Sequence, residues 1–148
     1  MKREIKFRGK VSKTKLWVYG DLLHVGNGCI ITTNSELGET LPDGDIGLAY
    51  NRNEFAVVVP ETVGQFTGLL DKNGKEIYEG DIIRSYDSNG ETITHYIEWK
   101  ERDAVYRATN IKYPLLGGWA YQDWIDECEK EIIGNVFDNP ELLKTETL

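Results

Sequence analysis

Three Asn-Gly dipeptides punctuate this chain, at Asn27-Gly28, Asn73-Gly74 and Asn89-Gly90. Each lies between runs of β-branched and aromatic residues. Asn-Gly supplies the left-handed backbone that a tight hairpin needs, so such a pair between strand-type runs is the strongest local hairpin signal a sequence offers. The first joins WVYGDLLHV to CIITT, and the third joins DIIRSY to TITHYIEW. In the latter strand Tyr96 and Ile97 are adjacent, which breaks strict alternation and predicts a bulge or burial on both faces. The expected fold class is mainly β, rich in hairpins, with one or two short helices.

The middle hairpin lies in GQFTGLLDKNGKEIYEGDIIR, residues 64–84. A two-residue loop would set Asp71 opposite Glu76, two like charges. A three-residue loop, Lys72-Asn73-Gly74, sets Asp71 opposite Lys75 and Leu69 opposite Ile77, with Asp opening a type I turn and Gly in the left-handed position. Cross-strand pairs are worth about 0.2–1 kcal/mol, enough to favour this register. FAVVVP, residues 55–60, reads as a buried strand ended by Pro60. The polar stretch 34–54 reads as a long loop with one short strand, and VYRAT, residues 105–109, as a further strand. In WAYQDWIDECEK, Tyr121, Trp124, Ile125 and Cys128 share one helical face. The final NPELL suits an Asn-capped helical turn with Pro first. A boundary near Pro60–Gly64 would divide the chain into an N-terminal β subdomain, 1–60, and a C-terminal one, 61–148.

No motif flags catalysis or a cofactor. DKNGKEIYEGD resembles a calcium loop in its acidic residues, but Lys75 and Glu76 occupy positions that need an oxygen ligand and a glycine. LPDGDIG has clustered oxygens and nothing else of such a loop. No glycine-rich phosphate motif is present. The available zinc ligands are His24, Cys29, His95 and Cys128; the first two flank a turn and could face each other, while the others are scattered. No metal site and no catalytic residue is therefore expected, and the chain is read as non-enzymatic. Two cysteines without CxxC spacing are expected to stay reduced and buried.

The formal net charge is −8. That argues against non-specific binding to nucleic acid or anionic membrane. Charge is unevenly spread: Lys2, Arg3, Lys6, Arg8, Lys10, Lys13 and Lys15 face only Glu4 in the leader. A lysine-guarded, solvated edge strand is the plainer reading. Docking of this strand onto an acidic partner, a neighbouring subunit included, is the functional one, with Lys6 and Arg8 as contacts. Trp119, Tyr121 and Trp124, after Gly117-Gly118, would be interface anchors if exposed; Trp is more often largely buried, so they are expected to fill the core. The leader lacks the apolar region of a signal peptide, and no apolar run approaches the roughly 20 residues of a membrane span. A cytoplasmic protein is expected.

REIKFRGK…KLWVYGDLLH, VVPETVGQFTGLLDKNGKEIYEGDII and IIGNVFDNPELL, taken in order, resemble the YopX protein family of phages and prophages. The resemblance runs from about Arg3 to Leu143 and is weakest over 27–53 and 101–129. It implies a mainly β protein in a bacterial cytoplasm and carries no catalytic residues over. The EGD step followed by a long hairpin resembles small SH3-like barrels, which suggests such a barrel for the C-terminal half. The function expected is that of an accessory protein binding an unidentified host or phage protein, or itself as a homo-oligomer. The alternative is nucleic-acid association, direct or as an acidic decoy of a DNA-binding host protein.

Overall fold

The computed structural model describes residues 3–32, 55–144 and, between them, two short strands at 38–40 and 46–48. It contains thirteen strands: β1 Phe7–Lys10, β2 Trp17–Val25, β3 Gly28–Thr32, β4 Gly38–Thr40, β5 Ile46–Leu48, β6 Phe55–Val58, β7 Gly64–Leu70, β8 Glu76–Tyr78, β9 Asp81–Tyr86, β10 Thr92–Lys100, β11 Val105–Asn110, β12 Gly118–Trp119 and β13 Glu131–Asn135. One α-helix, α1 Gln122–Glu127, and short 3-10 turns complete it. The fold is mainly β and its strand pairs are antiparallel. The chain forms two compact units, Met1–Gln65 and Phe66–Leu148, and the division falls inside β7.

In the first unit the strands run in the order β6-β3-β2-β1, and Gly64 and Gln65 pair with β1. Alternation places Val18 and Leu22 of β2 on the face that packs against buried Cys29, Ile31 and Val58. Gly20 is required there. Its φ is +156°, and a Cβ would come within 1.6 Å of the Thr32 carbonyl oxygen, so β2 can approach β3 only without a side chain. The first turn sits one residue earlier than the Asn27-Gly28 reading: Val25 pairs with Gly28, leaving Gly26 and Asn27 in the loop. Gly26 supplies the positive φ, +58°. β6 is half-buried rather than buried, because Val58 faces the core while Val57 faces outward. Its outer edge is covered by Lys10–Ser12: Val11 bridges Val58, Ser12 N donates to Val57 O at 3.0 Å and Val59 N to Lys10 O at 2.9 Å. Covered edges do not recruit other strands. The loop expected to hold one short strand carries two, β4 and β5, paired as a hairpin.

In the second unit five strands pair in the order β12-β11-β10-β9-β13. Ile83, Ile97 and Ala108 from the sheet, with Ile77 and the helical Ile125, form its buried core. The SH3-like barrel suggested for this half is not found: the two edge strands, β12 and β13, do not pair with each other, so no closure occurs among the described strands. β10 holds an unbroken register with both neighbours, Ile97 opposite Ala108 and Tyr96 opposite Ile82. The break in alternation is therefore met by partial burial of both faces, and the register shift lies in β13, between Ile132 and Gly134. The β7–β8 loop is the three-residue one. Asp71 N donates to Lys75 O at 2.8 Å, Gly74 N to Asp71 O at 2.9 Å, and Gly74 has φ +76°. Leu70 lies opposite Glu76, but the register then shifts so that Phe66, not Gly68, faces Tyr78. Such a shift is a bulge, and Thr67 Oγ1 fills it by donating to Ile77 O at 2.7 Å.

The helical stretch is shorter than the four-residue pattern predicts. Tyr121 is the N-cap and Cys128 the C-cap of α1, both exposed, and only Trp124 and Ile125 turn inward. Cys29 is buried and Cys128 exposed, both free, so the expectation of two buried thiols holds for one. Asn139 stands at the N-cap of Pro140–Leu143, yet its side chain makes no cap hydrogen bond; Oδ1 instead accepts from Asn135 N at 3.3 Å.

Candidate interaction surface

The DKNGK turn is held by its carboxylate. Asp71 is buried, and Oδ1 accepts from Asn73 N at 2.8 Å and Lys75 N at 2.9 Å. Oδ2 accepts from Ile132 N at 3.1 Å, while Lys72 N donates to Lys130 O at 2.9 Å, so the turn is fastened to β13. Backbone amides thus occupy the oxygens that a cation would need. Around this seam Glu131 pairs with Arg84 of β9 and with Lys72, the latter at 3.3 Å. Hydrogen bonds from these two cations hold the Glu131 carboxyl below its ordinary range.

Trp124 is the indole of the predicted trio that turns inward. The His95 ring meets it edge-on at 5.3 Å, and Lys130 Nζ lies 4.4 Å over its face while donating to Trp124 O. Burial, with the Lys130 charge adding to it, pushes the His95 imidazole down to about 4. His95 Nδ1 is buried and has no hydrogen-bond partner among the described residues. A neutral imidazole, an indole and a cation are thus stacked in one layer. This is core architecture.

Trp119 and Tyr121 are placed otherwise. They close a segment, Tyr113–Tyr121, that turns apolar surface outward: Leu115 is 94% exposed, Leu116 72% and Trp119 52%. The segment is nonetheless fixed. Arg107 Nη2 donates to Pro114 O and Gly117 O, both at 3.2 Å, and Tyr113 N donates to Asn110 Oδ1 at 2.8 Å. A Cβ on Gly117 would lie 2.5 Å from Ala108 O, so that glycine lets the segment lie flat on β11. Two shallow hollows flank it. One, of about 420 Å³, runs between Ile93, Tyr113 and Leu116 with Asp87 and Glu91 at its rim. The other, of about 350 Å³, lies between Arg107 and Trp119.

The leader candidates, Lys6 and Arg8, belong to the first unit. Lys6 Nζ pairs with Glu4 at 3.0 Å. Arg8 is buried, its guanidinium 4.7 Å over the Trp17 ring, where Lys10 also approaches at 5.8 Å. Trp119 and Tyr121 are thus exposed in one segment of the second unit, where Trp124 turns inward, while Lys6 and Arg8 belong to the first unit. Sequence reasoning missed Tyr113, Leu115 and Leu116. Their signal was available: KYPLLGG places two leucines between a proline and a glycine pair, where neither strand nor helix periodicity gives them a core to face.

The YopX protein family's sequence profile matches residues 6–144. The chain belongs to the YopX family. Its fold also matches a solved structure, protein EF1440 from Enterococcus faecalis, at 23% sequence identity and a TM-score of 0.54, covering 95% of this chain and 99% of that one. At that identity the likeness concerns the fold alone. Comparison with curated proteins finds no match. No helix among the described residues of this YopX-family chain is long and apolar enough to cross a membrane.

Proposed function

We propose that this protein is a non-enzymatic accessory protein of phage or prophage origin that acts in the bacterial cytoplasm by binding another protein through the Tyr113–Tyr121 segment. The observation that carries this reading is the combination of apolar exposure and fixed backbone in one short segment. Contiguous exposed apolar surface is costly to keep in water and marks binding sites. Leu115, Leu116, Trp119 and Tyr121 offer the large side chains on which interface energy concentrates, and Arg107 and Gly117 hold their backbone still, so little ordering entropy opposes binding. The partner this surface suits is a host or phage protein with an apolar cleft, or a second copy of the chain.

The test is affinity capture from bacterial extract, with and without nuclease, using the native chain and a Leu115→Ser/Trp119→Ser variant. Both substituted side chains face water, so the variant should fold as the native chain does. A protein retained by the native chain after nuclease treatment and lost by at least about tenfold from the variant supports the reading, as interface anchors are worth about 1–4 kcal/mol each. Equal retention by both places the interface elsewhere. Loss of all captured proteins on nuclease treatment favours nucleic-acid association instead.

A further inference from the structure

β2 and β3 bring a thiol and an imidazole side by side at one end of the first unit's core. His24 lies directly opposite Cys29, one step in from the Val25–Gly28 pair that closes the turn. Antiparallel pairs alternate, and the pair next to a closing hydrogen-bonded one is of the non-hydrogen-bonded kind, which draws side chains closest. Cys29 Sγ lies 3.5 Å from His24 Nδ1. The sulfur is buried in a cluster with Ile31 and Val58, against which Leu22 and Val63 pack. His24 is exposed and opens the pair to solvent. Backbone register thus sets the two residues opposite each other, with the sulfur walled by hydrocarbon and the exposed imidazole able to swing outward from the 3.5 Å contact and admit an ion.

We propose that His24 and Cys29 form a two-coordinate site for a soft monovalent cation of the copper(I) class, held between Sγ and Nδ1. Thiolate and imidazole are ligands such ions take, whereas magnesium and calcium require oxygens. Zinc prefers four ligands, and among the described residues no group of three or more His, Cys, Asp or Glu could hold a metal. A low-coordinate ion needs only the two donors present, and the apolar wall limits the water that would add a third. Binding replaces the proton shared by the pair: the thiol proton goes to solvent, one per ion, and the cation enters and remains monovalent, so no electron is exchanged. Affinity therefore rises with pH.

The full chain in a Cys128→Ser background, which removes the exposed thiol, is titrated anaerobically with copper(I) against a chromogenic chelator. Silver(I) serves as a redox-inert second probe. One equivalent per chain is expected, with affinity falling by about tenfold or more in His24→Ala, the scale on which even outer-shell partners matter, and lost in Cys29→Ser. His24 is a surface residue, so its variant keeps the test decisive if Cys29→Ser fails to fold. Absence of stoichiometric binding in the Cys128→Ser chain, binding that survives Cys29→Ser, or an affinity unmoved by His24→Ala each overturns the proposal.

Discussion

Asp71 and Asp87 occupy the first position of two turns built to one plan. In both, the aspartate oxygen accepts from the backbone two and four residues on, at 2.8 and 2.9 Å for Asp71 and at 2.8 Å twice for Asp87. In both, a glycine with positive φ follows, +76° at Gly74 and +80° at Gly90. The D-x-N-G spacing made these turns legible because everything they need lies within five residues. What the sequence did not carry is their different environment. Asp71 also accepts from Ile132, a strand residue far along the chain, and is buried; among the described residues Asp87 accepts only within its own turn, and it remains partly exposed. Asp71→Asn would turn an amide N–H group toward an amide it once accepted from, or forfeit its local bonds by flipping. The expected loss is about 1.5–3 kcal/mol, the worth of hydrogen bonds to a charged group. Asp87→Asn keeps a residue equally suited to the turn and should change stability by no more than about 0.5 kcal/mol. Urea midpoints of the two variants, taken side by side, check the contrast. Equal losses would mean that the seam with β13 contributes nothing.

At the scale of the element, α1 shows why periodicity was only half a guide. The i, i+3, i+4, i+7 pattern named Tyr121, Trp124, Ile125 and Cys128, yet a helix from Gln122 to Glu127 has no stability of its own and forms only where packing holds it. Ile125, fully buried, is one hold. Gln122 is the other, its amide accepting from Leu70 N at 3.1 Å and donating to Leu70 O at 3.0 Å. The pattern identified the inward pair and overreached at both ends, where the chain leaves the helix. Trp124 in turn shields His95, whose imidazole is pushed from 6.5 down to about 4 by burial, with Lys130 adding to it. The unfolded chain therefore takes up the proton first. Stability should fall as pH drops below 6.5 and this loss should level off near 4, where the folded imidazole also protonates. The lowered Glu131 carboxyl acts in a separate window: its contribution is complete above 4.5 and is lost as pH falls through its depressed folded value. Thermal melts between pH 7 and 4.5 isolate the histidine. His95→Gln, which cannot charge, should show a flatter profile over that interval than the native chain. An unchanged slope would assign the acid sensitivity to other groups.

At the scale of the whole molecule, hairpins and the mainly β class were readable, whereas strand order was not, because it depends on contacts across tens of residues. The same holds for charge. Seven basic residues in the leader suggested a surface for an acidic partner, but sequence could not show that Trp17 lies across β1 from them, where Lys10 pairs with Trp17. Arg8 and Lys10 turn toward that ring and Lys6 toward Glu4, so part of the basic charge is spent on the molecule itself. With a net charge of −8 over the whole chain, the long-range field repels phosphate. Proteins that bind duplex DNA non-specifically do so with dissociation constants of about 10⁻⁴–10⁻⁶ M by releasing counterions, which requires several free cations on one face. Here three of the leader's cations, Lys6, Arg8 and Lys10, are turned toward Glu4 and Trp17. Anisotropy of a labelled duplex should therefore stay flat up to about 10⁻⁴ M protein at physiological salt. A rise that collapses with added salt would mean that the leader's remaining lysines suffice, and Lys13 and Lys15 would then be the residues to neutralise. Arg8→Ala separates the two roles from the other side. Because the guanidinium is buried against an indole, its removal should lower the melting temperature through lost packing and cation–π attraction, about 0.5–2 kcal/mol for the latter. It should leave any salt-dependent DNA signal where it was. A stable Arg8→Ala protein with an altered salt slope would return this residue to the binding surface.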